Sequence, residues 1–215
     1  MGLSQPKQFE MLNGKTILEH SVDTFERHPS IKGIFVVVHE DFIDNTRRLL
    51  NVKNRPKIID VIAGGKERTD SSYAAIIALE KIVNCQLSVV NLLIHDAARP
   101  FVTNDIITRT IDALSNHSAV SVAIPATDTI YLCDDKNQIQ SSPQRERVYL
   151  AQTPQAARLS VFKQAFELAQ ENQHHVATDD VNVILSYLPT EKIHVVMGDP
   201  TNRKITFQCD LIPQK

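Results

Sequence analysis

Two periods of apolar residues run through the chain, and the helical one appears first. Ile17, Leu18, Val22 and Phe25 recur on one face of a stretch that opens at Thr16. Glu19 stands three residues after Thr16 and completes a capping box, while Pro29 lies just past the helix end. Ile34 to Val38 is a short unbroken apolar run, the mark of a buried strand. Asp41 to Leu50 reads as a short helix, and Lys57 to Ile62 as a strand that ends at Gly64-Gly65. A longer helix is predicted from Asp70 to Ile82, with Tyr73, Ile76, Ile77 and Leu79 inward. Leu87 to Ile94 is the run around which the rest is arranged, patterned as a strand buried on both faces of a parallel sheet. Thr103 then caps a helix carrying Ile106, Ile107, Ile111 and Leu114, and Ala119 to Ala123 is a further strand. Strands alternating with helices of this length predict βαβ crossovers, hence an α/β fold with a doubly wound, mainly parallel sheet.

The rhythm breaks between Thr127 and Gln152, where no helical stripe occurs. Two strand-like pieces flank Asp134-Asp135-Lys136-Asn137, so residues 127–152 read as a hairpin arm projecting from the body. An isolated hairpin is marginal in water, so the arm is expected to pack on something, most simply a second copy of the chain. Helical periodicity returns from Leu159 to Asn172 and again from Thr178-Asp179-Asp180 to Tyr187. Lys192 to Met197 is a strand, and Gly198-Asp199-Pro200 leads to a short strand-like piece at Lys204-Ile205-Thr206. Ahead of the first helix, Pro6-Lys7-Gln8-Phe9 is polar, and Asn13-Gly14-Lys15 is a turn signal. With no internal repeat or linker, the 215 residues form one domain.

Composition narrows the function. A hydrophobic fraction of 42% and a charged fraction of 22% are ordinary for a globular protein. The net charge of −2 gives no electrostatic case for nucleic acid or an anionic membrane, so any basic site must be local. Cys85, Cys133 and Cys209 are too scattered for a disulfide framework or a metal site and receive no role. No apolar run has the length of a membrane span, and the expected location is the cytoplasm, or the plastid stroma in a plant-like source.

Polar and basic residues gather at four strand ends. Gly64-Gly65-Lys66-Glu67-Arg68-Thr69-Asp70-Ser71 precedes a helix, where paired glycines serve either a ligand approaching backbone N–H groups or simply a tight turn. His95-Asp96-Ala97-Ala98-Arg99-Pro100 follows the central run, placing a carboxylate and a guanidinium where α/β sheets bind ligands. Arg145 precedes Thr153-Pro154-Gln155 at the end of the arm, and Lys204 follows Gly198. Single cations are usually solvated surface, but three at separate strand ends of one sheet can hold a polyphosphate. Asp179 and Asp180 read as a helix cap and His95 as a loop-orienting residue. His20, His28, His39, His117, His174, His175 and His194 read as surface or capping positions.

In order and spacing, P-K-Q-F with Lys7, Thr16 to Ser21, Gly64-Gly65 through Ser71 and His95 to Pro100 resemble one family. Asp128-Thr129, Arg145 eight residues before Thr153, Thr178-Asp179-Asp180 and Asn202 to Thr206 complete the match. It is the 2-C-methyl-D-erythritol 4-phosphate cytidylyltransferase family of the non-mevalonate isoprenoid pathway. The resemblance implies transfer of CMP from CTP to methylerythritol phosphate with Mg²⁺, releasing pyrophosphate. It also implies a homodimer in which the arm lends residues to the neighbouring site. Lys7, Lys204 and Arg145 are then the catalytic cations, with Lys7 and Lys204 around the α-phosphate. Gly65 and Ser71 face cytosine and Ala97 the ribose. Asp96 holds the polyol hydroxyls near the metal, and Arg99, Thr129, Arg145 and Thr153 surround the substrate phosphate.

Departures from that family are expected to weigh on activity more than on fold. Its members open with a strand and a glycine-rich loop of the form A-A-G-x-G-x-R-M-G, whereas Met1-Gly2 here match only the end of that loop. A central strand and most of the triphosphate cradle are thereby unmatched, and weak CTP binding is expected. Tyr131 and Lys66 replace a common lysine and a common acid, and the last helix of the family is short or absent. Two rivals stand beside the main reading. One is a cytidylyltransferase for ribitol 5-phosphate, whose relatives more often carry D-A-V-R-P where Ala98 stands here. The other is a non-catalytic dimer that retains the fold. A dinucleotide-dependent dehydrogenase is disfavoured, since no G-x-G-x-x-G follows an early strand.

Overall fold

The computed structural model describes residues 6–83, 87, 89–172 and 179–211. Met1, Gly2, Cys85, His174, His175 and Thr178, named above, and Ser88 within the Leu87 to Ile94 run lie outside the described residues. A short hairpin, β1 (Met11–Leu12) with β2 (Lys15–Thr16), precedes α1 (Ile17–Arg27). The capping box holds: the Glu19 N–H donates to the Thr16 hydroxyl at 3.2 Å, and the Thr16 N–H to the Glu19 carboxylate at 2.8 Å. Then come β3 (Ile34–Val38), α2 (Ile43–Leu49), β4 (Ile58–Ala63), α3 (Arg68–Val83), β5 (Asn91–Ile94), α4 (Asn104–Ala113) and β6 (Ala119–Pro125). The arm carries β7 (Leu132–Cys133) and β8 (Ile139–Ser141), which pair antiparallel around Asp134-Asp135-Lys136-Asn137 as expected. The chain closes with β9 (Tyr149–Arg158), α5 (Leu159–Glu171), α6 (Asp180–Tyr187) and β10 (Ile193–Met197).

The main sheet has the order β10-β6-β9-β5, and β3 pairs separately with β4. β9 is antiparallel to both β5 and β6, so those two run the same way, and β10 is parallel to β6. β3 and β4 are parallel. Arg68, five residues beyond β4, reaches Asp96, two residues beyond β5, so β4 and β5 end at one rim. Five of these strands therefore point one way, as a mainly parallel sheet requires, with β9 alone reversed.

Three expectations need correction. Residues 149–152 belong to β9, not to the arm: Tyr149, Leu150 and Ala151 pair with Pro125, Ile124 and Ala123 of β6. Strand β9 escapes sequence patterning because its buried part includes Gln152, Thr153 and Gln155, whose polar groups find partners in neighbouring loops. β5, expected to be buried on both faces, is only half-buried and begins at Asn91, because the edge facing β3 has no strand against it among the described residues. Residues 204–206 form no strand; instead the Ile205 N–H donates to the Ala98 carbonyl at 2.8 Å, and its side chain is buried.

Helices cover both faces. On one, Phe25 of α1 and Ile106 and Ile107 of α4 meet Val120, Val122, Ala156 and Val196. On the other, Ile76 of α3, Phe162 and Phe166 of α5 and Ile184 of α6 meet Ala119 and Ala157. Neighbours such as Ala156 and Ala157 of β9 serve opposite faces, as strand geometry dictates. Phe162 and Phe166 are fully buried, each contributing on the order of 1.5–3 kcal/mol relative to exposure. Leu18 and Val22 of α1 pack with Val36, Val38, Ile58 and Val61, which ties the β3–β4 pair to the body.

Candidate active site

The rim where β4 and β5 end gathers charge around one carboxylate. Asp96 accepts from Arg68 Nε at 3.1 Å and from Lys204 Nζ at 2.9 Å, each on a different oxygen. Burial alone would raise the Asp96 pKa, but the charges of Arg68 and Lys204 outweigh it and hold the group at about 2. At neutral pH it is therefore ionised and acts only as an acceptor. Arg68 also lies 2.7 Å from Asp180, which is wholly buried at the first turn of α6. Burial pushes the Asp180 carboxyl up, and Arg68 works against that. Lys7, in a short 3-10 helix (Lys7–Phe9), has its pKa lowered by partial burial and by the positive charge of Lys204; Asp96 opposes the shift.

Asp96 is also fixed through its backbone. Its N–H donates to the Thr153 hydroxyl at 3.1 Å, and that hydroxyl lies 2.9 Å from His95 Nδ1. His95 Nε2 lies 3.1 Å from the Arg99 carbonyl. A carbonyl only accepts, so Nε2 carries the proton and Nδ1 accepts from Thr153. The ring is buried and its pKa is pushed down to about 4 by desolvation, so the neutral tautomer that this chain of bonds needs is the one present. His95 orients the loop, as expected.

The glycine pair has a steric reason. A Cβ on Gly64 would fall on the Ser71 hydroxyl, and one on Gly65 on Asp70 Cβ. The loop lies so close over the first turn of α3 that the Gly65 N–H donates to Ser71 Oγ at 3.3 Å. Ala97 is half-buried, and its carbonyl accepts from Ser21 Oγ at 3.0 Å. Arg99 spends its fork on backbone: Nη1 donates to the Asn202 carbonyl at 2.8 Å and Nη2 to the Ala151 carbonyl at 3.1 Å. It thereby ties β9 to the loop that carries Lys204.

The fold thus brings Lys7, Asp96, Lys204 and Arg68 together, with Thr153 behind Asp96 and Gly65 and Ser71 at the start of α3. Thr129 and Arg145 are not brought in. Both are exposed on or beside the arm, where Arg145 Nη1 donates to the Thr127 carbonyl at 3.3 Å. Asp179 is the N-cap of α6, accepting from the Asn182 N–H at 2.8 Å. Asp180 is more than a cap residue, since it is the buried counter-charge of Arg68. Neither Arg68 nor Asp180 carried a local signal of that pairing, for they stand far apart in the chain. Asn202 was also missed as a positioning group; it is buried and donates to Gln152 Oε1 and the Thr153 carbonyl.

A cation cluster around an ionised carboxylate, at the carboxyl ends of parallel strands, defines an α/β site for a polyanionic ligand of the kind nucleotidyltransferases bind. The family model of 2-C-methyl-D-erythritol 4-phosphate cytidylyltransferase (IspD) matches residues 1–214, and the chain belongs to that family. A 2-C-methyl-D-erythritol 4-phosphate cytidylyltransferase of Thermobifida fusca is 35% identical over 215 residues, covering 98% of this chain and 85% of the relative. A bifunctional ribulose 5-phosphate reductase/CDP-ribitol pyrophosphorylase of Haemophilus influenzae is 37% identical over 212 residues, covering 98% of this chain. The chain spans 44% of the length of that bifunctional relative. The solved structure of 4-diphosphocytidyl-2C-methyl-D-erythritol synthase from Anaerococcus prevotii superposes with a TM-score of 0.83 at 31% identity, covering 94% of this chain and 85% of that one.

Proposed function

We propose that this chain transfers CMP from CTP to 2-C-methyl-D-erythritol 4-phosphate at the rim around Asp96. The observation that carries the reading is the pairing of Lys204 and Arg68 with one ionised carboxylate, with Lys7 near enough to feel both Asp96 and Lys204, within a chain of this family. A phosphate oxygen of the polyol phosphate attacks the α-phosphorus of CTP, a new P–O–P bond forms, the α–β bridge breaks, and pyrophosphate leaves. Such chemistry rests on positioning and on neutralising charge at the phosphoryl oxygens. Lys7 and Lys204 supply that neutralisation. Gly65 and Ser71 receive the base, Ala97 the ribose, and Asp96 the polyol hydroxyls. Thr153 acts from behind by fixing the Asp96 backbone.

A Mg²⁺ ion fits this donor set in one way. Among the described residues no group of three His, Cys, Asp or Glu side chains gathers to hold an ion. Asp96 together with substrate phosphates would provide the oxygen ligands that Mg²⁺ prefers, and the ion would supply further neutralisation there. No described helix is long and apolar enough to cross a membrane, and a cytoplasmic location agrees with the cysteine usage.

The homodimer belongs to the same proposal. Tyr131, Leu132, Ile139, Tyr149 and Leu150 are large apolar side chains exposed on the arm and the start of β9. A hairpin of this size does not hold such a surface in water by itself. Packing on a second copy covers it and carries Arg145, Thr129 and the substrate-phosphate contacts into the neighbouring site. Mixing inactive Arg145→Ala and Lys204→Ala chains should then restore about one quarter of native turnover, since half the dimers are mixed and each has one intact site. No recovery on subunit exchange refutes arm donation.

The substrate is tested by pyrophosphate release with CTP and Mg²⁺, comparing methylerythritol phosphate with ribitol 5-phosphate in parallel. Preference for methylerythritol phosphate is expected from Ala98. The Haemophilus influenzae relative favours the second substrate as the alternative. A folded chain that releases pyrophosphate with neither refutes both.

A further inference from the structure

Lys204 stands on residues 198–206, a stretch with neither helix nor strand to hold it. Its side chain is a flexible four-carbon stem, so the place of its ammonium group depends on how firmly the backbone beneath it is held. A side chain of β9 supplies that hold. Gln152 Nε2 donates to the Asp199 carbonyl at 2.9 Å, while Gln152 Oε1 accepts from the Asp199 N–H at 3.4 Å and from Asn202 Nδ2 at 3.2 Å. The amide thus pairs with Asp199 both ways, as the backbone of a neighbouring strand would. Asn202 Nδ2 also donates to the Thr153 carbonyl at 2.9 Å, which binds the loop to β9 a second time. Beyond Lys204, the Ile205 N–H donates to the Ala98 carbonyl, so the backbone is pinned on both sides of the lysine. Gln152 is 4% exposed and Asn202 is wholly buried, so water cannot replace these bonds if they are lost.

We propose that Gln152 is a positioning residue for Lys204: its side-chain amide fixes the loop from Gly198 to Lys204 against β9 and so sets where the Lys204 ammonium stands relative to Asp96. The neighbouring residue of β9 does the same for the other partner, since the Thr153 hydroxyl accepts from the Asp96 N–H at 3.1 Å. Two consecutive residues of one strand therefore hold the two segments that meet in the Lys204–Asp96 contact at 2.9 Å. The catalytic consequence rests on the CMP transfer proposed above, in which Lys204 neutralises charge at the α-phosphate. Positioning of Lys204 on Asp96 stands apart from it. In that transfer a misplacement of about 1 Å costs on the order of 10²-fold in rate.

Packing alone does not explain the amide. An apolar side chain of similar length fills the same volume without the cost of burying a polar group. Gly198 points the same way: a Cβ there would fall on Gln152 Oε1, so the loop approaches that oxygen as closely as only glycine permits.

The test uses the full chain with Gln152→Met and, separately, Gly198→Ala, which keeps every polar group but drives the amide oxygen away. The first readout is the acetylation rate of each lysine with an N-hydroxysuccinimide ester, followed by mass spectrometry. Lys204 must leave Asp96 to react, so either variant should speed its labelling by about 5-fold, the scale of one weakened hydrogen bond. Lys136 on the exposed arm should keep its native rate. Native labelling of Lys204 in both folded variants overturns the proposal, and so does faster labelling of every lysine alike, which reports general loosening. The second readout is a kinetic cycle with Lys204→Ala. Gln152→Met should lower kcat by about 10²-fold with the KM for CTP within about 2-fold, and should cost nothing further once Lys204 is alanine. Losses that multiply overturn the proposal, because a residue acting through Lys204 has nothing left to position. If the native chain releases no pyrophosphate with either polyol phosphate, the CMP-transfer reading falls, and the labelling result alone upholds or overturns the positioning.

Discussion

Replacing Arg68 by methionine removes the cation that bridges Asp96 and Asp180. Arg68 lies 2.7 Å from Asp180 and 3.1 Å from Asp96. At an effective dielectric of about 20, Coulomb's law assigns about 6 and about 5 kcal/mol to these contacts before desolvation is subtracted. Lys204 still faces Asp96 in the variant, so that carboxylate keeps a partner. Asp180 keeps only the neutral Ser72 hydroxyl and no counter-charge, and its side chain is wholly buried. Leaving one buried charge alone costs about 3–5 kcal/mol, a large part of the roughly 5–15 kcal/mol that holds a domain together. The cost depends on pH. Burial already raises the Asp180 pKa with Arg68 present, and losing Arg68 raises it further. In the variant the folded chain keeps a proton that the unfolded chain releases, so stability falls as pH rises from the unfolded value near 3.8 through the folded one. Urea unfolding of Arg68→Met should therefore show a deficit at pH 8 that shrinks toward pH 5. Adding Asp180→Leu should restore most of it, because an apolar pair of similar volume removes the lone charge. A single variant within 1 kcal/mol of the native chain at pH 8 would falsify the assignment of Asp180 as a buried charge held by Arg68. A double variant no better than the single one would do the same.

Lys204→Ala should lower kcat by about 10²–10³-fold, the scale for losing one charge-stabilising donor, while circular dichroism stays native; an unfolded variant refutes a primarily catalytic role. His95 drops from an ordinary 6.5 to about 4 on burial, so between those values the unfolded chain binds more protons and stability rises with pH. Its contribution is complete above 6.5 and about 3 kcal/mol of it is lost as pH falls to 4, so native stability should slope across pH 4–6.5 and His95→Gln should flatten the slope. The Asp96 contribution is present above 3.8 and fades only as pH falls toward 2, a separate and lower window. Gly64→Ala, whose added methyl meets the Ser71 hydroxyl and Val37, should cost about 1–3 kcal/mol in thermal unfolding. An unchanged Tm means that the loop has room to spare.

Local pattern alone determined much of this protein. The capping box at Thr16 and Glu19, the Thr103 cap, the apolar stripes of α1, α4 and α5, and the Asp134–Asn137 turn all rest on interactions between near neighbours, which a sequence displays directly. Motif order named the rim residues Lys7, Asp96 and Lys204. Tertiary structure decided what long-range pairing decides. β9 is a strand because Gln152, Thr153 and Gln155 find hydrogen-bond partners in distant loops, and no local pattern records those partners. Arg68 and Asp180 form an ion pair because the start of α3 and the start of α6 meet at one rim. Arg99 ties two segments through their carbonyls, which its residue type alone does not reveal. β5 carries the hydrophobicity of a central strand and yet stands half-buried, with β9 its single strand neighbour among the described residues. Hydrophobicity states what a strand can bury, and only its neighbours settle what it does bury.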